Sequence, residues 1–113
     1  MIFLCALTNS VGGFEKLAPD ASINDGKFTV LALRKCSLAE FASVIMAAAK
    51  GEHLTSPNVI YRKVEKVVIT SNDVVHINLD GEYGGDAPAT FENLMRHIEL
   101  FVPIHEIKET DRV

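Results

Sequence analysis

A chain of 113 residues, 48% hydrophobic and 23% charged, has the composition of one globular domain with a single modest core. Its formal net charge of −4 argues against a nucleic-acid backbone as partner, and no polybasic run offers a constitutive membrane patch. The opening MIFLCAL is too short to span a bilayer and lacks a basic leader, while Cys5 and Cys36 lie outside any CxxC or zinc spacing, which suits a reduced, cytoplasmic protein.

In chain order, residues 2–8 form an apolar run of β type. An apolar strand with nothing before it suggests a chain cut from something longer. The stretch TNSVGGFEKLAPDASINDG then reads as a long loop with Gly12, Gly13, Pro19 and Gly26, and loops of that length are often functional. KFTVLAL, residues 27–33, is apolar on both faces and predicts a central strand. SLAEFASVIMAAAKG is the one helix: Ser37 and Glu40 make an S-x-x-E capping box and Gly51 is placed to end it. Leu38, Phe41, Ala42, Ile45, Met46 and Ala49 recur at helical spacing and are expected to form its buried face.

Beyond Pro57 the signal returns to β. Residues 58–62 predict a short strand. Residues 64–70 and 74–79 alternate on either side of Ser71-Asn72-Asp73, which predicts a hairpin with Val75, Ile77 and Leu79 facing inward. ATFENL and HIELFVPI are two further strand candidates, and the polar tail KETDRV is expected to fray. One helix among six or seven strands predicts a mainly β, sandwich-like domain with an inserted helix, whose strand edges need a cover.

The residues able to carry chemistry lie at two turns. Asp80-Gly81-Glu82 ends an alternating strand, where a carboxylate is rigidly presented, as a general base must be. Asp-Gly is also a favoured hairpin dipeptide, and on local pattern alone an ordinary hairpin is the better account; against it, Tyr83-Gly84-Gly85-Asp86 extends the turn beyond what a tight hairpin needs. Asn24-Asp25-Gly26 is a good turn as well, and such a loop can offer Mg²⁺ or Ca²⁺ one carboxylate plus backbone carbonyls. Gly12-Gly13 lacks the lysine and the following helix of a phosphate loop and reads as a flexible turn. His53, His76, His97 and His105 are scattered, with no acid or cysteine at ligand spacing, and are expected to be surface or half-buried.

Taken together, NSVGGF, LAPDASINDGKFTVLAL, the helix, VEKVVITS, INLDGEYGG and IELFVP resemble the C-terminal domain of the bacterial diacylglycerol kinase and sphingosine kinase superfamily, over residues 8 to 104. The resemblance implies the β-sandwich-like C-terminal domain of an NAD kinase/diacylglycerol kinase-like fold. It implies a two-domain lipid kinase, ATP as co-substrate, and diacylglycerol or a related lipid alcohol as acceptor. It assigns the catalytic base to Glu82. It places a Mg²⁺ on the Asp25 carboxylate and the backbone oxygens of Ser22 and Lys27.

The GGDGT-type glycine loop of that family's nucleotide domain does not occur in these residues. Residues 1–113 therefore read as a single partial domain without its N-terminal ATP-binding half, inactive alone. Its expected partners are that missing half, a lipid alcohol, a transient membrane surface and further copies of itself through open edges. Two other readings stay open: a non-catalytic, self-associating sandwich module, and a fragment of an NAD kinase-like enzyme.

Overall fold

The computed structural model describes residues 1–99, 101 and 103–106. Its first half is a three-stranded antiparallel sheet in the order β1 (Ile2–Ala6), β2 (Phe28–Leu33), β3 (Val59–Val64). The central strand β2 is the run with apolar residues on both faces, and it carries the most burial, with Thr29, Ala32 and Leu33 shielded from solvent.

Between β2 and β3 lies α1 (Leu38–Lys50). The Ser37 hydroxyl accepts from the Glu40 amide, and the Glu40 carboxylate accepts from the Ser37 amide at 2.8 Å, so the capping box is formed as read. Gly51, at φ 77°, ends the helix in the left-handed region. The buried face is not the expected one. Val44 and Ala48 are buried and Phe41 and Ala47 half-buried, whereas Leu38, Ala42, Ile45, Met46 and Ala49 are exposed. The helix is apolar on most of its circumference, so two adjacent stripes fit the helical period equally well. Periodicity sets a spacing; only packing chooses the phase.

The second half consists of two two-stranded ladders. β4 (Lys66–Ile69) pairs with β7 (Ala89–Glu92), and β5 (His76–Leu79) pairs with β6 (Glu82–Asp86), both antiparallel. The expected hairpin between residues 64–70 and 74–79 is therefore not formed. Each of these segments is a strand, but β5 takes the nearer partner across Asp80-Gly81 and β4 takes β7. Of the residues read as inward, Ile77 is half-buried, and Val75 and Leu79 are exposed. The strand expected over 97–104 is absent at its described residues; Ile104–Glu106 is a 3-10 turn, and residues 100 and 102 and the tail 108–113 lie outside the described residues.

Among the described residues, the buried apolar ones are Ala6, Ala18, Ala32, Leu33, Val44, Ala48 and Val67, of which only Val67 comes from the second half. The Cα radius of gyration is 15.6 Å, against about 13 Å for a compact chain of this length. The architecture is mainly β with one helix, tightly cored in its first half and open in its second.

Candidate functional site

The D-G-E element is a tight hairpin. Leu79 pairs with Glu82, which leaves Asp80 and Gly81 alone in the turn, at φ 50° and 99°. Positive φ at both central residues is the turn whose twist matches antiparallel strands, and Asp followed by Gly is the pair that adopts it most readily. The Asn78 side-chain oxygen accepts from the Gly81 amide at 2.8 Å and closes the turn. Tyr83-Gly84-Gly85-Asp86 is not an extension of the turn, as the sequence suggested, but the returning strand β6.

Glu82 opens β6 and its side chain is exposed. Cross-strand pairing puts it on the face of Leu79, away from His76, Asn78, Tyr83 and Asp86. On that other face His76 Nδ1 meets Asp86 Oδ1 at 2.6 Å, and the Tyr83 ring stands edge-on to the imidazole at 5.9 Å. The hydrogen bond from His76, then that from Tyr83, holds the Asp86 carboxyl below its usual range. These contacts brace the hairpin behind Glu82. His76 thus has an acidic partner that spacing did not reveal, because a cross-strand neighbour sits ten residues away in the chain.

The Asp25 loop is built from local side-chain caps and is tied to β3. Asp25 Oδ1 accepts from the Lys27 amide at 2.9 Å, the Ser22 hydroxyl accepts from the Asn24 amide at 3.4 Å, and Gly26 is buried at φ 70°. A Cβ on Gly26 would lie 2.9 Å from Met95 Sδ, so the segment after β7 presses on the loop. From β3, the Lys63 ammonium lies 2.5 Å from Asp25 Oδ2 and donates to the Asp20 carbonyl at 2.7 Å. Tyr61, two residues earlier on the same strand face, donates its hydroxyl to the Asp20 carboxylate. Burial first, and then the Asp20 bond, push the Tyr61 phenol up to about 12. At Asp25 burial is the largest influence and raises the carboxyl. The Lys63 and Lys27 bonds and charges together outweigh it, so the group is held below its usual range.

A cation is therefore already held by the Asp25 carboxylate and a neighbouring carbonyl, and that cation is the Lys63 ammonium. Ser22, Asp25 and Lys27 come together in one loop, and a hard-cation site fits this all-oxygen donor set, with Lys63 as competitor for Asp25 Oδ2. Among the described residues, no group of three or more His, Cys, Asp or Glu side chains could hold a metal ion, so carbonyls have to complete any such site. No hydrogen bond or ion pair among the described residues links Glu82 to this loop. Sequence reasoning missed Lys63, Tyr61 and Asp20. Their one signal is the i, i+2 spacing of Tyr61 and Lys63 on a strand, which many strands share.

One further position differs from expectation. His53 is 1% exposed, not half-buried; its Nε2–H donates to the Leu17 carbonyl at 2.9 Å and pins the long loop to the end of α1. Gly12-Gly13 forms a turn, with Val11 and Phe14 exchanging backbone hydrogen bonds of 3.1 and 3.0 Å. Cys5 and Cys36 are free thiols.

Residues 1–102 match the family model of the YegS C-terminal NAD kinase beta sandwich-like domain. The chain belongs to this family. Among its curated relatives is a diacylglycerol kinase of Bacillus subtilis (strain 168), 49% identical over 98% of this chain and 37% of the relative. A diacylglycerol kinase of Staphylococcus carnosus (strain TM300) is 46% identical over 100% of this chain and 37% of its own length. That of Staphylococcus haemolyticus (strain JCSC1435) is 48% identical over 91% of this chain and 31% of its length. This YegS C-terminal domain thus spans about a third of the length of these relatives. The few buried residues of its second half accord with that share. Among the described residues, no helix is long and apolar enough to cross a membrane.

Proposed function

We propose that this domain is the acceptor-side part of an ATP-dependent lipid kinase that phosphorylates diacylglycerol, and that Glu82 is its base. The observation that carries the proposal is the D-G-E hairpin. It presents the exposed Glu82 carboxylate at the start of β6, on the Leu79 face of a braced turn, in a chain 46% to 49% identical to proteins named diacylglycerol kinase.

The lipid hydroxyl is a poor nucleophile until its proton has somewhere to go. Glu82 accepts that proton as the hydroxyl oxygen bonds to the γ-phosphorus, the bond to the β-phosphate oxygen breaks, and ADP leaves with the electron pair. A two-residue turn with both φ values set, closed by Asn78 and backed by the His76–Asp86 pair, fixes the backbone from which Glu82 projects. Positioning is most of what the protein supplies in phosphoryl transfer. Asp25, with the backbone oxygens of Ser22 and Lys27, would hold Mg²⁺. Bound there, the ion would neutralise the loop's carboxylate and stiffen the segment between Asp20 and β2. The nucleotide site falls to the part of the enzyme outside this third, and use of ATP as donor supports a cytoplasmic enzyme. The domain alone is inactive because it does not position a phosphoryl donor.

The test is transfer of labelled phosphate from ATP to detergent-dispersed diacylglycerol by the intact kinase. Glu82→Gln is expected to lower kcat by roughly 10²-fold or more, with KM for ATP unchanged. Near-normal turnover would remove Glu82 as the base and return the turn to a purely structural role.

The open edges of the β4–β7 and β5–β6 ladders, with Val68, Val74 and Tyr83 more than 60% exposed, favour one further reading: the isolated domain self-associates. A monomer by sedimentation at high concentration would rule it out.

A further inference from the structure

β5 and β6 do not run in even register. His76 pairs with Asp86 and Asn78 with Tyr83, so one residue of β5, Ile77, stands opposite two of β6, Gly84 and Gly85. That extra residue is a β-bulge. A Cβ on Gly85 would meet nothing within 4 Å, so space does not call for glycine here; the backbone does, at φ 109°. The bulge also changes sides. Tyr83 and Asp86 are three residues apart, which in a regular strand puts them on opposite faces, yet both lie on the face of His76 and Asn78.

On that face three side chains close over the bulge. His76 Nδ1–H donates to Asp86 Oδ1 at 2.6 Å from across the ladder. Tyr83, on the turn side of the two glycines, bonds Asp86 on their far side, and that bond pushes its phenol up. The Tyr83 ring in turn stands edge-on to the imidazole. Just beyond the His76–Asp86 pair, the Ala87 amide donates to the Val75 carbonyl at 2.9 Å, and both chains leave the ladder. The clamp therefore sits at the base of a two-stranded arm with Asp80, Gly81 and Glu82 at its tip. Among the described residues, no other strand or helix packs broadly on this arm. A lone hairpin is marginally stable, and two adjacent glycines in one strand weaken it further.

We infer that His76, Tyr83 and Asp86 are positioning residues for the phosphoryl transfer: their clamp across the bulge holds the arm that carries Glu82. The inference rests on the reading of Glu82 as the base. The turn fixes one end of the arm and the clamp fixes the other, and the one-residue mismatch between them is absorbed at Gly84-Gly85. Without the clamp the bulge is free to relax or migrate, and the arm frays from its base. The Glu82 carboxylate then spreads over positions from which it does not reach the lipid hydroxyl. None of the three side chains needs to touch substrate, since they share one face of the arm and Glu82 stands on the other.

The test compares turnover with hydrogen exchange, both on the intact kinase. His76→Ala and Asp86→Ala should each lower kcat about tenfold, the scale of one hydrogen bond to a charged group, with KM for ATP unchanged. The double variant should be no slower than either single one, because both remove the same bond. His76→Asn, whose amide can donate near the place of the Nδ1–H, should recover most of the loss. Residue-resolved exchange without substrate should show the amides of residues 76–86 faster in His76→Ala, slower again in His76→Asn, and unchanged elsewhere. Unchanged exchange in the arm overturns the inference. So do normal turnover of His76→Ala while Glu82→Gln is slow, additive losses in the double variant, and a His76→Asn variant as impaired as His76→Ala. Should Glu82→Gln itself turn over normally, the base reading fails; exchange then decides the clamp alone, which stands if the arm loosens and falls if it does not.

Discussion

Gly84 offers the sharpest test of how the Asp80-Gly81-Glu82 hairpin is held. A Cβ at this position would stand 2.5 Å from Leu79 Cδ1, closer still to Cγ, and 3.3 Å from Cβ. The obstacle is the branch point of Leu79 rather than a flexible tip, so Gly84→Ala forces Leu79 out of its rotamer or parts the strands. Overpacking of this kind costs about 1–3 kcal/mol. Set against it, replacing glycine by alanine stabilises by about 0.4–1 kcal/mol through the unfolded chain where the backbone tolerates it. The net expectation is a loss of roughly 0.5–2 kcal/mol, read as a lower urea midpoint at constant slope. The diagnostic is the cycle with Leu79→Ala. Leu79 is 48% exposed, so its truncation is mild alone, and in its absence Gly84→Ala should be neutral or stabilising. Leu79 is also the cross-strand partner of Glu82, so the single Gly84→Ala change should lower kinase turnover in the intact enzyme and Leu79→Ala should restore part of it. If Gly84→Ala is as stable as the parent with Leu79 intact, the packing argument is wrong.

Lys63→Met removes the cation that competes for Asp25 Oδ2. Calorimetry should then show Mg²⁺ binding about fivefold tighter, the scale of a modest ion pair, while Asp25→Ala abolishes it. Weaker Mg²⁺ binding in Lys63→Met would mean that the lysine organises the loop rather than occupying its cation position. The lowered Asp25 carboxyl sets a pH dependence: its stabilisation is complete above the ordinary carboxylate value of about 3.9 and is lost as pH falls through the lower folded value. Acid unfolding of Asp25→Asn should accordingly be shallower below about pH 4 than that of the parent, and parallel curves would refute the assignment. Glu82→Gln should shift the stability of the domain by no more than about 0.5 kcal/mol, as at any exposed position without partners. Asp80→Val, which places a β-branched residue at φ 50°, should cost more than Glu82→Gln by the same urea assay.

Local chemistry was legible in the residues themselves. The capping box, the terminating glycine, the two-faced central strand and the Asp25 turn all depend on neighbours within a few positions, and all stand as read. The Asp80-Gly81 hairpin belongs with them: the dipeptide specifies the turn, and the glycines after it misled only because strand β6 carries so few side chains to show its period. What makes Gly84 a strand residue is Leu79 lying across it, and that is a contact between strands.

The remaining features are decided by what comes together from afar. Which face of α1 is buried depends on what packs against it, and an alanine-rich helix offers no contrast by which its sequence could choose. Which strand β4 joins depends on β7, some twenty residues on, so a turn between adjacent strands was no guide to the pairing. Lys63, Tyr61 and Asp20 gather at the Asp25 loop because β2 and β3 set Lys63 opposite Thr29, close to where the loop ends. The sequence alone determined the turns that present Asp25 and Glu82, since backbone preference and side-chain caps act within a few residues. Only the tertiary structure decided their company, because ion pairs, sheet order and burial are properties of distance in space.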